Sequence, residues 1–490
     1  MSAESIQPAD EPALPPEAAQ PVPEAAPPEA TPSTKLRLSL KKRAFSSGLI
    51  TIVGFGGEQV LRFGANLILT RLLVPEAFGL MMIVNTVMVA LILFSDLGIR
   101  PAIIQNERDD PGFLNTAWTM QVGRGVVLWV VACAAAYPLA WFYAEPMLTY
   151  LLPVTGLVAI ADGFSSTRLH TLNRNLLLGR LVALKVGTYL VSAACMIGYA
   201  LVYPTVWSLV IGSVVGRALS ALLSHIVIPG IKNRLHWEWV AARALFNFGR
   251  WIFFSTICTF IASHSSRLIM GKVLSDDERG VFSIAFFLAF AGSDAVGQLG
   301  MRVLFPLYAR LKEQDAATLQ AKVFQVRTKL LAVALPPVCM VAAWGPDLLR
   351  FFYDQRYAEG EWMIRILAPG ALVEVVLATS IPVMLATGDS LRHMLSMLAR
   401  SICLIVGMIV LGHYHGPPGL LTALIFAPLF AYPVLAYGVD RHGVWQPKLD
   451  LLAFSCAVGL TYGLYLIPVG GPLMDLREAV VPAIKSALGR

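Results

Sequence analysis

Charged and polar side chains interrupt the apolar stretches of this sequence at regular intervals. In the first stretch, Gly54, Glu58, Arg62 and Asn66 recur at every fourth residue and would form a polar stripe along one side of a helix. An ionised group at the centre of a membrane costs roughly 2.5–3.5 kcal/mol, so such groups normally face a cavity or a partner. Glu58 and Arg62 can therefore neutralise each other one turn apart, or they can line a wet interior.

Polar residues in other apolar stretches extend this candidate lining. The residues that we predict to bind substrate in a central cavity are Glu58, Arg62, Asp96, Arg124, Arg267, Asp294 and Gln298. Three further charges, Asp162, Arg217 and Glu374, lie inside apolar stretches as well. For each of these charges, a structural role and a substrate contact are both open on the sequence alone.

The chemistry of the predicted set suits an anionic substrate with hydroxyl groups. Its arginines can bind a diphosphate through paired guanidinium hydrogen bonds, which are stronger than hydrogen bonds between neutral groups. Its carboxylates can hold the arginines in place, contact sugar hydroxyls or take up a coupling proton. The sequence does not decide among these three roles for the carboxylates.

No pattern for catalysis accompanies these residues. The sequence has no GxxxxGK[ST] phosphate loop, so ATP hydrolysis by this chain is not expected. Asp276 and Asp277 suit a solvated turn, and His413 and His415 lack the further ligands of a metal site. The net charge of +7 reports topology because the basic residues lie at the ends of apolar stretches. We therefore predict no enzyme activity, cofactor, metal or nucleic acid partner.

The elements that position the candidate residues must be membrane helices. Apolar residues make up 56% of the 490 residues and charged residues only 14%, whereas a soluble domain has about a quarter charged residues. The apolar stretches are roughly 20 residues long, the length at which a helix spans a bilayer core. These features predict an all-α polytopic membrane protein. Twelve predicted spans lie near residues 45–69, 78–99, 113–142, 147–167, 181–201, 206–228, 250–271, 280–304, 329–346, 362–386, 393–412 and 417–438, and a thirteenth lies near 450–468.

The sequence predicts four consecutive regions along the chain. They are a disordered tail rich in Pro, Ala and Glu (1–34), two six-helix lobes (35–245 and 246–445), and additional transmembrane or amphipathic helices at the C-terminus (446–490). The tail lacks the apolar region of a signal peptide and leads into a basic cluster directly before the first span. Because the positive-inside rule places such clusters in the cytoplasm, we predict a cytoplasmic N-terminus.

An internal repeat supports the division into two lobes. A shift of 201 residues aligns NLILTRLLVPEAFGLMMIV, from Asn66, with RLIMGKVLSDDERGVFSIA, from Arg267. Both segments run from an apolar span through a basic residue and a short acidic turn to a glycine, Gly79 or Gly280, and then into a new apolar span. Such a match predicts two halves of the same topology, with the substrate path between them.

These residues resemble a known group of transporters, the Wzx-type oligosaccharide flippases. This group is the polysaccharide-transport branch of the multidrug/oligosaccharidyl-lipid/polysaccharide (MOP) exporter superfamily. The similarity covers roughly residues 36–445 and is carried by ANLILTRLLVPEAFGLMMIV, FSDLGIRPAIIQ, NTAWTMQVGRG, FNFGRWIFFSTICTFIASHSSRLIMGKVL and GVFSIAFFLA. In this family an aspartate often precedes the arginine that matches Arg267, whereas Ser266 stands here. An ion-coupling role assigned to that aspartate is therefore not carried over to this chain.

The resemblance implies a function and a set of partners. It implies two lobes like those of the multidrug (MATE) exporters around a central cavity. By alternating access they would move an undecaprenyl-diphosphate-linked oligosaccharide across the bacterial inner membrane for exopolysaccharide or lipopolysaccharide synthesis. The implied partners are the lipid-linked oligosaccharide, membrane lipid, and polysaccharide polymerase and co-polymerase proteins.

Three alternatives stay open. A multidrug or cation exporter of the same superfamily would need a more acidic and aromatic cavity, against which three arginines argue. A membrane glycosyltransferase or polymerase would need a large loop outside the membrane, and the longest loop between spans has only about twenty residues. A scaffold for polysaccharide synthesis without transport would leave Arg62 and Arg267 without a substrate role.

Overall fold

The computed structural model describes residue 54 and residues 56–95, 110–169, 178–228, 232–305, 308, 316–387 and 389–467. The described residues contain thirteen α-helical segments, a π-helix (Gly300–Leu304), a 3-10 helix (Gln355–Tyr357) and no strand. The helices are α1 (56–72), α2 (Pro75–Phe94), α3 (Pro111–Tyr143), α4 (Leu148–Phe164), α5 (Leu178–Val202), α6 (Trp207–Ile226), α7 (Trp239–Val273), α8 (Asp276–Leu299), α9 (Ala316–Phe352), α10 (Gly360–Ala378), α11 (Ile381–Thr387), α12 (Ser390–Asp440) and α13 (Pro447–Tyr465). Below, α1–α6 are the first half and α7–α12 the second half. The predicted tail 1–34 and the residues after 467 lie outside the described residues.

Many of these helices are long and apolar enough to cross a bilayer. Eight helical segments of the described chain meet both conditions, and one of them, Leu391–Asp440, contains 50 residues. That segment is two helices joined at Gly416, where φ is +61° and the backbone leaves the helical region. Two prolines follow, which cannot donate backbone hydrogen bonds to the preceding turn. The kink falls between the predicted spans 393–412 and 417–438 and confirms their separation.

Helix starts follow local sequence signals. Asp110 accepts a 2.9 Å hydrogen bond from the backbone N–H of Phe113 and caps α3. Ser275 and Glu278 form a capping box at α8, in which the Glu278 carboxylate accepts hydrogen bonds from the backbone N–H and the hydroxyl of Ser275. The turn before α2 lies at the equivalent position of the internal repeat and places a proline at the start of the helix instead. Both turns thus stop one helix and start the next.

Three helices differ from the predicted spans for physical reasons. The predicted span 362–386 is interrupted at Thr379 and Ser380, because Pro382 cannot supply a backbone N–H to the turn that precedes it. The helices α7 and α9 begin 11 and 13 residues before the predicted starts at 250 and 329. The parts of these helices that precede the predicted starts contain charged residues, Arg243 in α7 and Lys322 and Arg327 in α9. A hydropathy pattern rejects such residues although they are compatible with a helix.

The two glycines of the internal repeat meet at one contact between the halves. The helices α2 and α8 pack against each other, and a Cβ placed on Gly280 would lie 1.9 Å from the carbonyl oxygen of Pro75. A Cβ on Gly79 would lie 2.8 Å from the Cβ of Arg279. Only residues without a side chain allow the backbones to approach this closely. The repeat signal therefore reports a real packing constraint.

Charged contacts surround the same end of the α2–α8 interface. Arg279, which is buried, forms an ion pair with Glu145 between α3 and α4. Arg356 pairs with Asp354 and donates to the carbonyl oxygens of the last turn of α1, at 3.2–3.3 Å. Lys272 donates to the carbonyl oxygen of Phe142 at the end of α3. We call Glu145, Lys272, Arg279 and Arg356 the latch, since they join the first half to the second.

Burial and ion pairing shift the pKa values of two charged groups at the latch. Burial raises the pKa of the Glu145 carboxyl above its ordinary value, although the attraction of Arg279 lowers it. The hydrogen bond with Asp354 raises the pKa of the Arg356 guanidinium, against the opposing effect of burial. Arg356 remains a cation beside the partial negative charge at the C-terminal end of α1, which is the favourable orientation for a helix dipole.

A second ion pair, deep in the protein, attaches α13 to the second half. Arg327 of α9 donates to Asp450 of α13 at 2.6 Å, and their side chains are only 1% and 5% exposed. The remaining guanidinium nitrogens donate to Thr379 and Gln446, and Tyr432 donates to the second oxygen of Asp450 at 2.8 Å. A buried ion pair is tolerated only when its other hydrogen-bonding positions are filled, as they are here.

We predict that Gly280→Ala destabilises the protein by about 1–3 kcal/mol, because the added methyl group meets backbone atoms of Pro75 that cannot rotate away. Gly297→Ala is the matched control, since it lies on the same helix and its added methyl group meets no atom within 4 Å. The measurement is the midpoint of thermal unfolding of both variants in the same detergent. Equal midpoints would contradict the close contact.

We also predict that Asp450→Ala destabilises the protein by about 3–5 kcal/mol, because Arg327 is left charged and buried without its partner. The control is Glu361→Ala, which removes the partner of the half-exposed Arg350 and should cost at most about 1 kcal/mol. Thermal unfolding followed by tryptophan fluorescence compares the two. An Asp450 variant as stable as the control would show that the ion pair does not hold α13.

Candidate functional site

The polar stripe of α1 carries an ion pair that is open on one side. Arg62 donates to Glu58 at 2.8 Å, as their spacing predicts, and the arginine side chain is 51% exposed. The guanidinium also lies 5.4 Å from the ring centroid of Tyr189 on α5, a cation–π distance. A Cβ on Gly56 or Gly57 would meet no atom of the described residues within 4 Å. The first two turns of α1 therefore border open space beside a charged pair.

The two ends of the same stripe, Asn66 and Gly54, are used for packing. Asn66 accepts a 3.0 Å hydrogen bond from the hydroxyl of Tyr353, at the end of α9. Gly54 sits against α5, since a Cβ there would lie 2.1 Å from a methyl group of Val182. Of the four residues in the predicted stripe, Glu58 and Arg62 are the pair that the structure leaves facing the open side.

Arg124 occupies a different environment from Arg62. Its Nε donates to the hydroxyl of Ser95 at 3.0 Å and its Nη2 donates to the carbonyl oxygen of Ile92 at 2.6 Å. These acceptors belong to the last turn of α2, whose carbonyl groups have no partner within the helix. Arg124 of α3 therefore caps α2, and this contact gives it a structural role in the described conformation.

Two more charges lie close to Arg124. Asp162 of α4 is attracted by both Arg124 and Arg217, and its carboxylate lies 3.5 Å from the guanidinium of Arg217 on α6. The Arg217 and Asp162 side chains are 58% and 42% exposed. An arginine with that exposure on a membrane-spanning helix faces either water or the headgroup region. Arg217 is therefore, like Arg62, an arginine of the first half whose side chain is more than half exposed.

The second half places Arg267 over a pair of stacked aromatic rings. The guanidinium of Arg267 lies 4.6 Å from the ring centroid of Phe286, which stacks on Phe290 at 4.5 Å. The Nη1 atom of Arg267 also lies 3.4 Å from Nδ1 of His264. Cation–π contact stabilises a guanidinium without neutralising its charge. The ring contact therefore positions the Arg267 guanidinium without supplying a counter-charge.

Four residues of α8 continue this surface along the helix. Phe286 and Phe290 are followed at four-residue steps by Asp294 and Gln298, and both polar side chains are exposed. Asp294 is attracted by Arg267 and repelled by Glu374 of α10. The predicted residues Arg267, Asp294 and Gln298 therefore lie along one surface of α7 and α8.

Arg400 was not among the residues singled out from the sequence. It lies on α12 and donates to Glu374 at 2.7 Å, with both side chains about one-fifth exposed. Its buried Nε has no hydrogen-bond partner within the described part of the chain. The sequence could have indicated this residue, because Arg400 is a charged residue inside the predicted apolar span 393–412. Tyr189 carries no such signal, since an aromatic residue in an apolar span usually packs.

The structure therefore divides the predicted residues into two groups. Glu58 and Arg62 lie together on α1, and Arg267, Asp294 and Gln298 lie together on α7 and α8. Arg124 caps α2, and Asp96 lies outside the described residues. Their roles in binding remain predictions.

We predict that Arg124→Ala destabilises the protein by about 1.5–3 kcal/mol, because it leaves the end of α2 without its charged donor. Arg62→Ala should change the stability by less than about 1 kcal/mol, since its ion pair is half exposed. Thermal unfolding midpoints of the two variants, purified side by side, measure the difference. The reverse order of stability would contradict these assignments.

Comparison with known proteins gives a family and a fold. Residues 68–360 match the family model described as polysaccharide biosynthesis protein. The lipopolysaccharide biosynthesis protein WzxC of Escherichia coli (strain K12) is 22% identical over 331 residues, which cover 65% of each chain. The teichuronic acid biosynthesis protein TuaB of Bacillus subtilis (strain 168) is 19% identical, over 60% of this chain and 61% of TuaB. The aligned part thus spans less than two thirds of each relative.

A solved structure extends the likeness to most of the chain. The lipid II flippase MurJ, in an inward closed conformation, matches 90% of this chain and 100% of its own chain, with a TM-score of 0.68 and 12% sequence identity. At this identity the likeness shows the fold alone. Together with the described helices, it confirms the predicted all-α polytopic membrane fold.

Proposed function

The chain belongs to the polysaccharide biosynthesis protein family, and we propose that it is the flippase for a lipid-linked oligosaccharide used in that synthesis. Its family and fold confirm the resemblance to MOP exporters inferred from the sequence. The observation that carries the proposal is the half-exposed Arg62, which lies beside open space on α1 and can meet an anion. The relatives WzxC and TuaB carry names from lipopolysaccharide and teichuronic acid biosynthesis.

The substrate class follows from the side chains. Arg62 and Arg267 bind the diphosphate, since a guanidinium group can donate paired hydrogen bonds to phosphate oxygens. Asp294 and Gln298 present exposed oxygen and nitrogen atoms that bind sugar hydroxyls. The polyprenyl chain stays in the bilayer, where its transfer into water would be unfavourable. We assign no catalytic step to the chain, so the substrate leaves as it entered.

We propose that the two halves are lobes, 35–245 and 246–445, that rock against each other. The meeting of Gly79 and Gly280 supports this, because equivalent residues of two related halves meet at their common axis. With the N-terminus in the cytoplasm, the latch lies on the periplasmic side of the inner membrane. The described conformation is then closed outward, and substrate enters from the cytoplasmic leaflet. Polymerase and co-polymerase partners stay predictions.

A cation exporter is the second candidate, and one observation favours it. The exposed Asp294 lies beyond the stacked rings of Phe286 and Phe290, a combination of carboxylate and aromatic rings that suits an organic cation. The nearby Arg267 opposes this function because it would repel the cation. Drug sensitivity of cells that lack the gene separates the two candidates, since only loss of an exporter raises it.

We predict that Arg62→Ala and Arg267→Ala each reduce exposure of the oligosaccharide at the periplasmic face by about tenfold or more, the loss expected for a charge-assisted contact. The measurement is labelling of the lipid-linked oligosaccharide by a lectin added to spheroplasts that express each variant at equal levels. Arg365→Ala is the control, since this exposed arginine lies outside both clusters.

The outcomes of this measurement have separate meanings. Normal labelling in both arginine variants would contradict their role in binding. Normal labelling in cells without the protein would overturn the proposed function itself, because another protein would then perform the transfer.

A further inference from the structure

The segment that joins the two halves is extended and fixed to α3. In residues 232–238, before α7 begins, three backbone N–H groups donate to side chains of α3. Arg234 donates to Asn115 at 3.1 Å, His236 to Thr119 at 3.0 Å, and Glu238 to Thr116 at 3.0 Å. These acceptors belong to the sequence NTAWTMQ, which carries part of the family resemblance. We call residues 232–243, which include the first turn of α7, the strap.

Further hydrogen bonds make the strap a rigid surface. Asn233 accepts from Ser166 at 2.6 Å and donates to Thr167 at 2.8 Å, just after α4. The buried Arg168 donates to the carbonyl oxygens of His225 and Ile228 at the end of α6. The strap is therefore held on both sides by the first half, and its shape does not depend on a ligand.

The strap exposes large apolar side chains. Trp239 is 77% exposed, and Leu235, Trp237 and Val240 are between 47% and 72% exposed. The two tryptophan rings contact each other edge to face, with centroids 5.4 Å apart. Because α6 ends at Ile226 and α7 enters the membrane again, this patch lies at the boundary of the bilayer. Tryptophan is enriched at that depth, where its ring is apolar and its N–H can still reach polar groups.

Positive charge accompanies the apolar patch. Lys232, Arg234 and Arg243 are exposed, and none of them pairs with a carboxylate in the part of the chain that the structure describes. Glu238, the acidic residue of the strap, turns toward the start of α3, where a Cβ on Gly112 would lie 2.8 Å from its Oε2. The N-terminal end of a helix is a favourable place for a carboxylate. The outward side of the strap is therefore both apolar and cationic.

We propose that the strap binds anionic phospholipid headgroups of the membrane leaflet that it faces. The tryptophans occupy the boundary between headgroups and acyl chains, and the three basic residues pair with phosphate groups. Each basic residue near an anionic surface contributes about 1 kcal/mol to such binding. Apolar side chains are also exposed at the end of α6, at Leu222, Ile226 and Val227, so we assign the patch to lipid rather than to a protein partner. On the predicted orientation, the leaflet is the cytoplasmic one.

Lipid bound to the strap constrains the connection between the two halves. The strap is the covalent link from α6 to α7, so lipid bound there fixes the link at a constant depth in the membrane. Movement of the second half then occurs about a point held by the first half and by lipid. This surface is separate from Arg62 and Arg267, and it does not depend on which substrate the protein carries.

The test compares lipid binding in two charge-matched double variants of the full-length protein. Purified protein in a neutral detergent is titrated with phosphatidylglycerol or phosphatidylcholine, and the rise in the thermal unfolding midpoint gives an apparent affinity. Arg234→Gln with Arg243→Gln should weaken the response to phosphatidylglycerol about thirtyfold, the effect of two contacts of about 1 kcal/mol each. Arg441→Gln with Lys448→Gln, which removes two exposed charges beside α13, should leave that response unchanged.

A second variant tests the apolar part of the surface. Trp239→Ala should weaken the response to phosphatidylglycerol while leaving the midpoint without lipid unchanged, because the side chain is 77% exposed. Glycerol phosphate alone should give no response, which separates a lipid from a free phosphate. An equal response in the strap variant and its charge-matched control would overturn the proposal. None of these measurements involves transport, so their failure would leave the proposed function untouched.

Discussion

A charged side chain inside a bilayer needs a partner or water, and this requirement sorts the arginines of the described helices. Arg327 pairs with Asp450 in a buried hydrogen-bond network, and Arg124 donates hydrogen bonds to Ile92 and Ser95 at the end of α2. Both are therefore part of the scaffold. Arg62 and Arg217 form ion pairs while remaining more than half exposed, which requires water or headgroups beside them. Exposure thus separates Arg62 and Arg217 from the buried Arg327, whereas Arg124 and Arg267 are both partly buried and differ in their partners.

The close approach of α2 and α8 sets the geometry on which the latch depends. With backbones in contact at Gly79 and Gly280, the loops on either side come within reach of each other. Arg279, which directly precedes Gly280, then reaches Glu145, and Arg356 reaches the end of α1. Larger residues at the two glycines would separate these groups by the width of a side chain. The ion pairs thus depend on a packing contact that contains no charge.

Sequence reasoning found the helices because apolar length is a local property. Each predicted span overlaps a helix where the structure describes it, although the span 362–386 is divided at Thr379 and Ser380. The turn at Gly416 separates two of the spans. The spacing of Glu58 and Arg62 also gave their ion pair, since residues four apart meet on a helix. The partner of Arg124 could not be found this way, because Ile92 and Ser95 lie about 30 residues away. The same holds for Asp450, which lies 123 residues from Arg327.

The polar contacts at the two ends of the first half differ in kind. At the latch end they cross to the second half and involve charges, through Arg279, Lys272 and Arg356. At the opposite end, Asn233 and the backbone of the strap bind groups of the first half itself. Opening the latch would therefore break the Arg279–Glu145 ion pair and the hydrogen bonds from Lys272 and Arg356 to the first half, while leaving the internal network of the first half intact. A half that keeps its own hydrogen bonds during such a change moves as a rigid body, which is the condition for alternating access.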